Sequence, residues 1–534
     1  MALLRSSPGP RASRPFLSAA LGSVVLAGLA SAQGTPRADL LIRGGTVIDG
    51  TGAPARVTDV AITGDRISFI GDARRARISA ARTIEARGLI VAPGFIDPHT
   101  HAYGDLQSEG AAGRGNAGYL MQGVTTVVTG NDGGGPVDIA DHFARWERLG
   151  IGTNAALFVG FGSVRGKVLG MQAAAPDATQ LAAMRALVAQ GIEEGALGLS
   201  TGLYYAPQSY STTEEVIALA REAASRGAIY DSHLRDESSY TVGLMGAVRE
   251  VLRIGQEAGL PVHIAHIKAL GVDVWGQSDS VIALVNRARQ GGQRVTADQY
   301  PYTASGTSVG AALLPRWAEA GGGDSLRARI TNPEYRDRLV ADMRDNMRRR
   351  GGAKSLLLTG GRDRALVGKT LDDIATARKA DPILTALEII MDGGASVASF
   401  NMNEDDIARF MREPWVMTGS DGSDGHPRKF GTYPRKLREY VLTKGVITLE
   451  QMVQRSSRDV AAAFNMGQRG ALASGWFADV IVVDTAKVAE RATYEAPERL
   501  AEGMQYVIVN GRLAVSEGKP TGVLAGRGVR RVTP

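Results

Sequence analysis

Short apolar runs alternate with amphipathic stretches through the middle of this chain, and that rhythm predicts most of its architecture. Runs at 124–129, 155–159, 197–200, 228–231, 262–266 and 295–298 are apolar and rich in β-branched residues, and read as strands. Between them, segments such as 214–226 and 243–257 carry apolar residues at helical spacing. Strand and helix taking turns over several hundred residues predict parallel βα units, and the length suits a (β/α)8 TIM-like barrel. The two ends differ. Residues 38–90 hold short strands broken by Gly and Asp turns, and 466–530 repeat that texture, with Asn510-Gly511 as a hairpin turn. A small β-sandwich domain built from both ends follows, because domain ends tend to meet. The barrel is then expected over 91–465. Residues 310–360 interrupt it with a charged helical stretch, read as an insertion over the barrel mouth.

Composition narrows the function. The 534 residues include 61 basic and 55 acidic side chains, a net charge of +6 with no basic stripe, which argues against nucleic-acid binding. The run Arg348-Arg349-Arg350, with Arg344 a turn earlier, reads as a solvated helix end. There is no cysteine, so disulfides and thiolate metal ligands are excluded. At the N-terminus Arg5, Arg11 and Arg14 precede an apolar stretch over 16–30, and Ala30-Ser31-Ala32 offers a cleavage site. This predicts a signal peptide at 1–32 and a periplasmic or secreted protein beginning near Gln33. The apolar run is short for a membrane span, and no cysteine follows it to carry a lipid, so no stable anchor is expected.

Seven histidines remain to be placed. His99 and His101 close an apolar run over 89–97, and residues two apart on a strand point the same way. His233 ends a second run, with Arg235 and Glu237 on its face. His266 ends a third, with Lys268 on its face. Alternation turns His263 away as a packing residue. His142 lies in a helical pattern and is expected at the surface, while His426, in a Gly- and Asp-rich loop, is expected to line the site. Four imidazoles at the ends of three strands suit a catalytic zinc with an open position for water. Asp421, after the run 416–418, is the carboxylate expected to join them and to move the proton in hydrolysis.

These motifs together resemble the metal-dependent amidohydrolase superfamily, and within it the N-acyl-D-amino-acid deacylases. The first metal motif is Pro93-Gly94-Phe95-Ile96-Asp97-Pro98-His99-Thr100-His101. More specific are Gly198-Leu199-Ser200-Thr201-Gly202-Leu203-Tyr204-Tyr205, Gly419-Ser420-Asp421-Gly422, His426-Pro427-Arg428 and Gly431-Thr432-Tyr433-Pro434-Arg435. Tyr300-Pro301-Tyr302 and the tail segment Arg491-Ala492-Thr493-Tyr494-Glu495 also match. The likeness spans about 38–530. It implies a zinc held by His233, His266 and one strand-end residue. A second, more weakly held ion falls to His99, His101 and Asp421. Lys268, Arg428 and Tyr204 are implied as binders of the substrate carboxylate. Where the family carries a cysteine on the metal, this chain has Asp132, in Gly130-Asn131-Asp132-Gly133, and a carboxylate there has two oxygens with which to bridge two ions. A second departure is Gly160-Phe161-Gly162-Ser163, which lacks a family histidine and is expected to alter a pocket wall.

The expected activity is hydrolysis of an N-acyl-D-amino acid, a small-molecule substrate, and the D preference rests on the resemblance. A cyclic amidase, a dipeptidase of D-residues, a bulky-amide hydrolase and a metal-free binding protein on the same scaffold stay open at this point, as does assembly into an oligomer.

Overall fold

The structure, a computed structural model, describes residues 37–532; the signal peptide expected at 1–32 lies outside them. Five strands begin the chain: β1 (Arg37–Val47), β2 (Arg56–Thr63), β3 (Arg66–Gly71), β4 (Ser79–Glu85) and β5 (Ile90–Pro93). The barrel strands follow as β6 (Phe95–Asp97), β7 (Val124–Thr129), β8 (Asn154–Leu157), β9 (Val159–Gly160), β10 (Gly198–Gly202), β11 (Ile229–His233), β12 (Val262–Ile264) and β13 (Val295–Gln299). Then come β14 (Ala304–Ser308), β15 (Leu356–Gly361) and β16 (Ala395–Phe400), the last barrel strand β17 (Val416–Thr418), and β18 (Val480–Val483), β19 (Met504–Val509), β20 (Arg512–Ser516) and β21 (Lys519–Pro520).

Strands from both ends share one nine-stranded sheet, in the order β21-β20-β19-β18-β5-β1-β2-β3, with β4 also on β1. A bulge between Ile42 and Gly45 bends β1, so its first half pairs with β4 and its second with β5. The two halves cover a common core of Leu40, Ile42, Val60, Ile62, Ile84, Val91, Val480, Val482 and Ile508. Residues 89–97, expected as one strand, are two. Gly94 separates β5 in this sheet from β6 in the barrel, because a Cβ there would overlap the side chain of Thr125.

The barrel is parallel throughout. One group runs β6-β7-β8 and another β9-β10-β11-β12-β13-β17. Strands β8 and β9 are halves of one strand interrupted at Phe158, which makes eight. The ring joins beyond β17 and β6: Thr100 bridges Gly422, the Asp421 N–H donates to the His99 carbonyl at 2.9 Å, and the His101 N–H to the Gly422 carbonyl at 3.1 Å. The barrel strands are buried nearly throughout, as expected of parallel strands covered by helices outside and side chains inside. Helices Thr213–Ala224 and Gly243–Ala258 cover β10 to β12 close to where the pattern put them.

The insertion is larger than the helical stretch at 310–360. It begins at β14 and ends at β16, and its three strands form an antiparallel sheet in the order β14-β16-β15. Helices including Pro333–Arg349 and Pro382–Met391 pack on it around Val309, Leu313, Leu339, Met343, Leu358, Ile383 and Val397. β14 and β16 are built largely from Ala, Ser, Gly and Thr, which carry little hydrophobic signal, and the Leu356-Leu357-Leu358 run of β15 is too short to be told from a helical segment.

Candidate metal centre

Every chemically active side chain stands just past the C-terminal end of a barrel strand. His99 and His101 follow β6, Asp132 follows β7, and Tyr204 and Tyr205 follow β10. His233 ends β11 with Glu237 beyond it, His266 and Lys268 follow β12, and Asp421 follows β17. The hydrogen bonds that join β17 to β6 run between the backbones of His99, His101, Asp421 and Gly422 themselves. Barrel closure therefore sets the spacing of three of these groups. Asp132, His266 and Asp421 have φ of 56°, 33° and 48°. A left-handed backbone is unfavourable for side chains with a Cβ and is typically retained where function needs it.

Two donor sets converge. His99, His101, Asp132 and Asp421 form one, and Asp132, His233 and His266 the other; in each, one ligand atom per residue lies within 4.8 Å of the rest. Asp132 belongs to both. Its Oδ2 lies 3.5 Å from Nε2 of His99 and 3.5 Å from Nε2 of His101. Its Oδ1 lies 3.4 Å from His266 Nε2 and 3.7 Å from His233 Nδ1. Asp421 Oδ1 lies 3.0 Å from His101 Nε2 and 3.6 Å from His99 Nε2. Both ring nitrogens of His99, and Oδ1 of Asp132, are buried without a hydrogen-bond partner. Buried polar atoms are rarely left so, and borderline divalent ions take this imidazole and carboxylate mixture. The residues fit a metal centre.

Electrostatics agree. Burial pushes His233 down to about 4, so its imidazole is neutral and has a lone pair to give. Burial opposes ionisation of Asp421, but the guanidinium of Arg428, with Nη1 2.7 Å from Oδ2, holds the carboxyl below the usual range. Glu237 was placed on the face of His233 but given no role, and it proves central. Its Oε1 takes Lys268 Nζ at 2.6 Å and lies 3.2 Å from His266 Nδ1. It too is held ionised against burial, by Lys268 first. Below the metal face, burial lifts Asp97 to about 8 while its Oδ1 accepts the N–H groups of His99 and Ser420 at 3.2 and 3.0 Å.

The remaining histidines sort cleanly. His263 faces Asp298 at 3.0 Å and Thr296 at 2.8 Å, outside both donor sets. His426 lines the cavity, accepting from the Arg428 N–H at 3.1 Å and donating to the Ala304 carbonyl. His142, expected at the surface, is largely covered: its ring meets the Tyr103 hydroxyl and the Asp138 carbonyl.

The cavity above the donors holds about 320 Å³. Lys268, Arg428, Tyr204, Tyr205 and Tyr300 form its sides, and Gly306, Thr307 and Val397 of the insertion close it from above. Lys268 and Arg428, expected as binders of a substrate carboxylate, are paired with Glu237 and Asp421. Tyr204 gives its hydroxyl to the Ala311 carbonyl at 2.8 Å, and its ring lies 5.9 Å from that of His233. No residue of 160–165 lines the cavity, and Phe161 and Arg165 are fully buried. Arg350, read as part of a solvated helix end, is buried and lines the cavity, while Arg348 alone of the run is fully in solvent, paired with Asp273.

Comparison with known proteins agrees with this geometry. The amidohydrolase family model matches residues 82–515. D-aminoacylase from Alcaligenes xylosoxydans xylosoxydans is 34% identical over 521 residues, covering 92% of this chain and 98% of that protein. A solved D-aminoacylase, described as having a binuclear metal centre with one-metal activation and second-metal attenuation, superposes with a TM-score of 0.79 at 32% identity, over 92% of this chain and all of that one. N-acyl-D-glutamate deacylase from Bordetella bronchiseptica, solved with zinc and a phosphonate mimic of the tetrahedral intermediate, does so at 0.78 and 32%, with the same coverage. The chain belongs to the amidohydrolase family, in its N-acyl-D-amino-acid deacylase branch.

Proposed function

We propose that this protein hydrolyses the amide bond of N-acyl-D-amino acids, giving a carboxylic acid and a free D-amino acid. The observation that carries the reading is the pair of donor sets sharing Asp132 at the floor of a cavity. His233, His266 and Asp132 would hold a zinc ion, and His99, His101, Asp421 and Asp132 would hold a second. Bound there, zinc would supply Lewis acidity and lower the pKa of a water to about 7.

The chain supplies the rest. Asp421 is the proton carrier: ionised and fixed by Arg428, it accepts the proton of the attacking water and passes it to the leaving nitrogen, so that the C–N bond breaks and a neutral amine departs. Arg428 positions that carboxylate, and Lys268 positions Glu237 and His266. Both cations stay on the cavity surface, where a substrate carboxylate adds to their pairs, and Tyr204 walls the cavity beside His233. Export through the N-terminal segment, which places the enzyme in the periplasm or outside the cell, is part of the same proposal.

Asp421→Asn tests the assignment. Turnover should fall by about 10²–10⁴-fold, the usual share of general acid–base catalysis, with the melting temperature little changed. Near wild-type turnover in a folded variant contradicts it.

A further inference from the structure

Three cations face the cavity: Lys268, Arg350 and Arg428. Two are neutralised where they stand, by Glu237 at 2.6 Å and Asp421 at 2.7 Å. Arg350 is different. It is 3% exposed, yet among the described residues no carboxylate lies within 4.0 Å of its guanidinium. Its Nε donates to the Ala312 carbonyl at 3.1 Å. With the Asn401 amide turned to satisfy its neighbours, Nη1 donates to the Asn401 oxygen at 3.1 Å. Both acceptors are neutral, neither takes Nη2, and the Tyr204 hydroxyl, the other oxygen near the guanidinium, is neutral as well. A buried charge without a counter-ion is costly, so such groups are found paired or turned toward a ligand.

A second donor waits beside it. The ring of Tyr240 lies 5.8 Å from the Arg350 guanidinium carbon, and its hydroxyl is buried with no hydrogen-bond partner. Both side chains line the cavity. The placement is rigid. Arg350 caps the helix Pro333–Arg349, and the chain then turns through Gly351 and Gly352, with φ of 94° and 92°, toward β15. A purely structural arginine would account for the Ala312 and Asn401 contacts. It would not account for an unneutralised charge and an unpaired hydroxyl facing the same space.

We propose that Arg350, with Tyr240 as a second donor, is a receptor for a carboxylate of the substrate and a determinant of its specificity. The inference rests on the N-acyl-amino-acid reading above. Guanidinium meets a carboxylate with a planar, multidentate fork, the recognition that a lone ammonium lacks. The carboxylate is either the one next to the amide nitrogen or a second one on an acidic side chain. Arg350 differs from Lys268 and Arg428 in coming from the insertion, while Tyr240 stands on the barrel loop after β11, so the insertion adds specificity to a site whose chemistry the barrel carries.

The test is Arg350→Gln on the full, zinc-loaded chain, with kcat and KM measured on N-acetyl-D-leucine, N-acetyl-D-glutamate and N-acetyl-D-leucinamide. KM should rise about 10- to 100-fold for carboxylate-bearing substrates, the loss of one charged hydrogen-bonding partner, with kcat and the amide substrate little affected. A rise for both acids identifies the carboxylate beside the amide, and a rise for the glutamate derivative alone identifies the side-chain carboxylate. Equal losses on all three, or none, overturn the proposal. Should Arg350→Gln fail to fold, Arg350→Lys carries the same comparison, with a smaller rise expected and no rise contradicting it. If the wild type hydrolyses none of the three, the proposed activity fails. Calorimetric binding of glutarate then decides this inference separately. Binding at least about 10-fold tighter in the wild type than in Arg350→Gln supports it, and equal or absent binding overturns it.

Discussion

Asp132→Asn is the most informative single change, because it separates a bridging ligand from a turn residue. Asn tolerates the left-handed backbone of this position, where φ is 56°, so a residue needed for the turn alone is replaced at little cost. The metal account predicts otherwise. The two oxygens of Asp132 face different donor sets, at 3.4 to 3.7 Å from four imidazole nitrogens. Asn leaves one neutral oxygen and no charge for both. A four-ligand zinc site holds its ion by about 10–16 kcal/mol, so one ligand accounts for roughly 2.5–4 kcal/mol. Affinity should then fall by about two to three orders of magnitude. Equilibrium dialysis against buffered zinc measures this directly. Thermal unfolding gives an independent reading: free zinc at about 1,000 times the wild-type Kd stabilises the wild type by about 4 kcal/mol, and the variant by under about 2 kcal/mol. His101→Ala, whose ring touches one set, should lose the second ion and keep the first. Wild-type affinity and an undiminished zinc-induced shift in Asp132→Asn would refute the reasoning.

Two further predictions concern the frame beneath the site. Lys436 is buried against Thr418, with Nζ 2.9 Å from Oγ1, and burial lowers it from 10.5 to about 7. Its folded value is the lower one, so the unfolded chain binds more protons between about pH 7 and 10.5, and stability rises with pH across that window. Lys436→Met should therefore stabilise the protein most at or below pH 7, by up to about 5 kcal/mol at 1.36 kcal/mol per unit, with the gain shrinking toward pH 10; a gain independent of pH in calorimetric melts contradicts this. Gly419→Ala should lower both melting temperature and zinc affinity. The added Cβ would overlap Oδ2 of Asp298, whose Oδ1 accepts the His266 N–H at 3.0 Å, and unchanged zinc affinity would show that Asp298 does not position His266.

The catalytic half of this molecule was more legible than its specificity half. Barrel strands carry dense β-branched runs, and a histidine at the end of such a run is placed by the fold itself, which is why His99, His101, His233 and His266 could be read from spacing. Asp132 carries no such signal; it sits in a Gly-Asn-Asp-Gly turn like many others, and the resemblance alone singled it out. Arg350 was misread because a basic run at a helix end is usually solvated. What buries it is the return of the chain through Gly351-Gly352 into β15 of the insertion's sheet. The pairing of Lys268 with Glu237, 31 residues apart, depends on β11 and β12 lying side by side. His142 is covered by Tyr103, from the helix Tyr103–Gln107, which is too short for periodicity to place.

The most direct measurement is release of free amino acid from paired N-acetyl-D-leucine and N-acetyl-L-leucine, by the protein as purified with zinc, after chelation, and after zinc is restored. The account predicts release from the D enantiomer, its loss on chelation and its return with zinc. Release from neither enantiomer by zinc-loaded protein, or undiminished release after the metal is stripped, would contradict it.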